Sequence, residues 1–164
     1  MKRISVAVVS LFALLLVLSI VQAASRDSDD PDKSKRSTVI HLVERVHDLT
    51  FQDTGAPGPS LGDRLVFTSD LFDEDGHQVG RDGADCVIVR IDQSAPPPEQ
   101  QVVQCLVTVQ LSEGQITFQG LAQGTENFFA VNGGTGAYRT VRGEAFVKDV
   151  APLQEADITI TLFR

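Results

Sequence analysis

The chain has no tryptophan, one tyrosine, three histidines and two cysteines in 164 residues. After its N-terminal stretch it also lacks a second apolar run long enough to cross a bilayer. No segment carries the length and 3.6-residue period of a long helix, which excludes helical bundles and doubly wound α/β folds. No histidine pair has zinc spacing: His41 and His47 fall on one extended segment, about 20 Å apart at 3.4 Å per residue. There is no Gly-x-Ser-x-Gly elbow and no Ser/His/Asp order. The acidic stretch Asp70, Asp73, Glu74, Asp75 lacks the spacing and distal Glu of a calcium loop, and reads as a solvated turn ending at Gly76. Basic charge is scarce too. The net charge of −8 is that of a chain repelled by phosphate backbones, so nucleic acid is excluded as a partner. No metal and no cofactor is implied.

What is present begins with Lys2 and Arg3, an apolar run from Ile4 to Val21, and the small-residue exit Gln22-Ala23-Ala24. This pattern reads as a secretory signal peptide over residues 1–23, cleaved after Ala23; the same run, uncleaved, would be an N-terminal anchor. Cleavage leaves 141 of the 164 residues and no stable membrane insertion, and loss of Lys2 and Arg3 takes the net charge from −8 to −10. The expected location is extracellular. Residues 24–38 are charged and polar with almost nothing to bury, and read as a disordered leader. In an oxidising compartment Cys86 and Cys105 form a bridge worth about 3 kcal/mol in the chain-entropy account; otherwise they are free thiols.

From Val39 to Arg164, short apolar runs are broken by turn residues about every ten positions, which is an all-β pattern. Candidate strands are 39–51, 64–73, 85–92, 101–111, 115–121, 128–132, 143–150 and 157–163. In the last, Ile158, Ile160 and Leu162 share one face. Eight antiparallel strands in one domain fit an up-and-down barrel, since closure removes exposed edges; a two-sheet sandwich fits the same periodicity. If 85–92 and 101–111 form a hairpin around Pro96–Pro98, Cys86 faces Cys105 in the register that sets Val89 against Val102. Val87, Val89 and Ile91 then occupy one face and Ile88 the other, so the strand is apolar on both sides and calls for a cover on its outer face. Gly133-Gly134-Thr135-Gly136 makes a tight turn between two strands, with Tyr138 and Val141 continuing as strand. A phosphate cradle is excluded there, for want of a following helix.

Several segments together carry a family resemblance. Ser60-Leu61-Gly62-Asp63, then Phe67-Thr68 and Leu71-Phe72-Asp73, and Gly114-Gln115-Ile116-Thr117-Phe118-Gln119-Gly120, are similar to the allene oxide cyclases. Val79-Gly80-Arg81, Thr135-Gly136, Arg139 and Arg142-Gly143 resemble the related dirigent proteins. From about Val43 to Leu162 the chain thus resembles the allene oxide cyclase barrel family. The resemblance implies an eight-stranded antiparallel barrel of the calycin type, a central apolar pocket and a homotrimer. It also implies a role in orienting a small apolar molecule, guiding its cyclisation or coupling. In the cyclases a buried Glu and a bound water stabilise charge while a fatty-acid epoxide closes. Glu44 matches that Glu, but the two Asn positions that hold the water are Val46 and Ser69 here, and the pocket Tyr is missing near Gly124. Cys86 matches a pocket cysteine. Glu44 is accordingly the candidate catalytic residue, of an isomerase if the chain is an enzyme. Phe67, Ser69, Phe118, Phe128 and Arg139 are the candidate pocket residues. The other readings are a barrel that binds without turnover and a solid, structural one.

Overall fold

The computed structural model describes residues 37–55 and 57–163. The signal segment expected at 1–23, and all but the last two residues of the leader expected at 24–38, lie outside these. Eight antiparallel strands form one closed barrel in chain order: β1 (Ser37–Gln52), β2 (Arg64–Phe72), β3 (Gln78–Ile91), β4 (Gln101–Leu111), β5 (Gly114–Ala122), β6 (Glu126–Gly134), β7 (Arg142–Ala151) and β8 (Glu155–Phe163). β1 closes the cylinder against β8, from Ser37↔Phe163 to Arg45↔Glu155. That pairing draws Ser37 and Thr38 into the sheet, two residues before the strand start expected at Val39. The closed ladder settles the choice between barrel and sandwich.

Period-2 alternation decides which side chains enter the barrel. On β8 the interior receives Ala156, Ile158, Ile160 and Leu162; on β3 it receives Asp82, Ala84, Cys86 and Ile88. Register shifts reset the alternation locally, as β-bulges do. One lies between Val46 and Asp48, so that Val46 and Leu49 both reach the interior. Another lies between Ile88 and Arg90. Cys86 pairs with Cys105 as the hairpin reading requires, with a Cα–Cα distance of 4.1 Å and a disulfide between them. Past the bulge Val102 faces Arg90 instead of Val89. Val89 is 47% exposed and Val87 half-buried, so within this chain β3 is not covered on its outer face.

One end of the barrel is packed solid. Leu71, Val109, Ile116, Val141, Ile160 and Leu162 are fully buried there. Tyr138 closes that end, its hydroxyl donating to Glu113 Oε2 at 3.0 Å. The glycine segment is more than a hairpin turn. Gly133 and Gly134 finish β6, and Gly136–Tyr138 form a 3-10 turn that folds over the β4–β5 hairpin, with Ala137 N donating to Glu113 O at 3.0 Å. Tyr138 and Val141 are therefore in a connection, not a strand. Gly136 has φ +58°, and a Cβ there would strike the Glu113 carbonyl.

The Ser60–Asp63 motif shapes the loop between β1 and β2. The buried Asp63 carboxylate accepts from Ser60 N (2.7 Å), Thr54 N (2.9 Å) and both their hydroxyls (3.1 Å each). Those donors, led by the Thr54 amide, hold its pKa below the ordinary Asp value. Gly62 N and Asp63 O then pair with Ile88, docking the loop on β3.

Candidate functional site

The other end of the barrel is hollow. A cavity of about 430 Å³ opens between the β3–β4, β5–β6 and β7–β8 turns, whose Pro97, Pro98, Gln123, Gly124, Leu153 and Gln154 form its rim. Its volume lies in the range of small-molecule sites. One wall is apolar, made by Val103, Cys105 and Val107 on β4, Phe118 on β5 and Phe129 on β6. The rings of Phe118 and Phe129 lie 5.6 Å apart in a tilted pair. The disulfide belongs to this wall.

The facing wall is polar. Registry places Val46 of β1 opposite Ser69 of β2, and Ser69 opposite Asp82 of β3. Glu44, two positions before Val46, pairs with Ala156 of β8, which pairs with Asp149 of β7. An arc of carboxyl and hydroxyl groups therefore runs across five adjacent strands. Ser69 Oγ donates to Glu44 Oε1 at 2.8 Å, and both side chains are buried. Asp82 is 4% exposed, and among the described residues neither of its oxygens has a hydrogen-bond partner of normal geometry.

Burial raises the Glu44 pKa above the ordinary carboxyl value, opposed by its bond to Ser69 and the neighbouring Asp82 carboxyl and reinforced by the charge of Asp149. Burial also raises Asp82, and with the nearby Glu44 charge it pushes this carboxyl up to about 8. Burial also raises Asp149. Glu44 and Asp82 titrate as a pair, and at neutral pH the pair retains a proton. It can donate a hydrogen bond or a proton to a polar atom of a guest and still present a carboxylate to developing positive charge.

The candidate catalytic residue Glu44 and the candidate pocket residues Phe67 and Phe118 line the cavity. Ser69 acts one step behind, through its bond to Glu44. Phe128 is displaced from the expected position: it is 67% exposed on the outer face, stacked on Phe146 at 4.8 Å, while its neighbour Phe129 points inward. Arg139 is exposed at the end of the 3-10 turn, at the packed end of the barrel. Asp82 and Asp149 were missed. An Asp in the run Gly80-Arg81-Asp82-Gly83 reads as a turn, and only the inward parity of Ala84 and Cys86 could have placed Asp82 inside. At the β2–β3 turn Asp73, Asp75 and His77 gather their polar atoms within 4.8 Å. Asp73 Oδ1 accepts from Asp75 N (3.1 Å) and His77 N (2.8 Å), which accounts for the cluster as a turn.

A closed antiparallel barrel, packed at one end and holding a polar-floored hollow at the other, defines the class of small closed β-barrels with an internal cavity. The chain belongs to the allene oxide cyclase barrel-like family, whose model matches residues 43–162. No curated protein matches it. Among solved structures it is similar to Pyocyanin demethylase, with TM-score 0.67 and 29% identity over 76% of this chain and 99% of the other. The Diels Alderase AbmU from Streptomyces koyangensis gives TM-score 0.63 and 17% identity, covering 100% of this chain and 83% of its own. The pterocarpan synthase dirigent protein GePTS1 gives 0.58 and 16%, covering 78% and 83%. The last two share the fold.

Proposed function

We propose that this barrel binds one apolar small molecule in its open-ended cavity and holds it in a single reactive conformer, guiding cyclisation or coupling. The observation that carries the reading is the hollow itself, with an aromatic wall facing buried Glu44, Ser69 and Asp82. Restricting a guest to one geometry accelerates an intramolecular step without much acid–base chemistry. The names of the solved neighbours, a demethylase, a Diels Alderase and a pterocarpan synthase, support small organic guests. A barrel filled by its own residues fits a cavity of about 430 Å³ poorly.

The test uses the neutral fluorophore N-phenyl-1-naphthylamine. One site per chain is expected, with affinity falling at least tenfold in Ala122→Trp, which sets an indole across the mouth. No fluorescence gain, or a gain indifferent to that substitution, refutes the reading. An enzymatic reading is favoured by the raised pKa values of neighbouring Glu44 and Asp82; under it, Glu44→Gln binds guest but does not convert it. Export follows the same proposal, supported by the N-terminal pattern and the disulfide. A mature protein beginning at Ala24 is its check. The homotrimer is supported by Val66, Leu106 and Leu121, exposed on the outside of β2, β4 and β5; native mass spectrometry measures it.

A further inference from the structure

The charge lining the cavity is one-sided. Three carboxyl side chains line it, from Glu44, Asp82 and Asp149, with Glu155 at its edge, and among the described residues no lysine, arginine or histidine lines it. Glu155 is already engaged by Arg45, whose Nε lies 3.1 Å from Glu155 Oε2. The other three have no cation. Glu44 is held by a hydroxyl; among the described residues, buried Asp82 has no hydrogen bond of normal geometry on either oxygen and half-buried Asp149 has no ion pair.

We infer that the guest of this cavity is an organic cation, a compact aromatic or alicyclic body carrying a protonated or quaternary nitrogen that is seated against the Glu44–Asp82–Asp149 arc. This rests on the guest-binding reading above and names its ligand class. Unpaired carboxyls away from water are costly, and a buried cation among them offsets that cost for both partners. The apolar body meets the tilted Phe118–Phe129 pair, whose ring faces also attract positive charge. A guest with its own carboxylate, such as the fatty acid implied by the cyclase resemblance, meets like charge in a low-dielectric space with no basic residue to receive it.

The experiment displaces N-phenyl-1-naphthylamine from the mature protein with 2-naphthylmethylammonium, 2-naphthalenemethanol and 2-naphthoate, which share one ring system. Salt at about 150 mM screens the acidic outer surface and leaves buried charges effective. The ammonium compound is expected to displace the reporter at a concentration at least tenfold below that of the naphthoate, with the alcohol between them. In Asp149→Asn, or in Glu44→Gln if the first variant loses its barrel circular dichroism, the ratio is expected to fall at least threefold. Equal potency of the two ions, preference for the naphthoate, or a ratio unchanged in a folded variant overturns the inference while guest binding stands. Failure of the neutral reporter to bind at all removes guest binding and this inference with it.

Discussion

Replacing Asp82 by Asn should make the barrel more stable, and only above a particular pH. The folded carboxyl has its pKa raised to about 8, against 3.8 for an ordinary Asp. Between those values the native state holds a proton that the unfolded chain has released. Stability is therefore fully present below about pH 4 and is lost as pH rises through 8. At about 1.4 kcal/mol per pH unit, the interval amounts to on the order of 5 kcal/mol, a large part of the 5–15 kcal/mol typical of a domain. Asn has the same shape and no charge to desolvate. Urea unfolding followed by far-ultraviolet circular dichroism, at intervals from pH 4 to 9, reads the effect; the absence of tryptophan makes intrinsic fluorescence a poor probe. The wild type and Asp82→Asn should agree within about 1 kcal/mol at pH 4. By pH 9 the variant should be more stable by about 3 kcal/mol or more, since Glu44 and Asp149, also raised by burial, contribute the same sign of slope to both proteins. Parallel curves across the whole range would refute the placement of a buried, proton-holding Asp82.

Three further outcomes can be checked. Replacing Cys86 and Cys105 together by Ala should lower unfolding free energy by about 3 kcal/mol, from the loop of 19 residues it reopens, as measured by urea titration. Gly136→Ala should cost about 1–3 kcal/mol, because φ +58° and the Glu113 carbonyl both resist a Cβ; a melting temperature unchanged from wild type would contradict the 3-10 closure. Asp63→Asn should lower the melting temperature at pH 7. Because the Asp63 pKa is depressed, its contribution is present above pH 4 and disappears as pH falls through the folded value, so the two proteins should converge in acid.

The strands were legible wherever apolar alternation ran unbroken. Gln101–Leu111 has the same bounds in sequence and structure, and Ile158, Ile160 and Leu162 share the inner face as read. β3 begins at Gln78, seven residues before its expected start, because Gly80, Asp82 and Gly83 imitate a turn until pairing with β2 and β4 is seen. Composition marks Phe128 and Phe129 as equivalent, and parity in a closed sheet separates them. Glu44 became the candidate catalytic residue through the resemblance to the cyclases. Its partner Ser69 is 25 residues away and Asp82 lies on a third strand, a proximity that no local pattern encodes.

The division of the barrel into a strand-built floor and a turn-built rim has a consequence for how such a protein diversifies. Glu44, Ser69 and Asp82 stand on three paired strands, and the backbone ladders fix where each side chain points. The rim residues, from Pro97 to Gln154, sit in connections where insertions are tolerated. New aperture shapes can therefore be tried while the carboxyl-bearing floor stays intact.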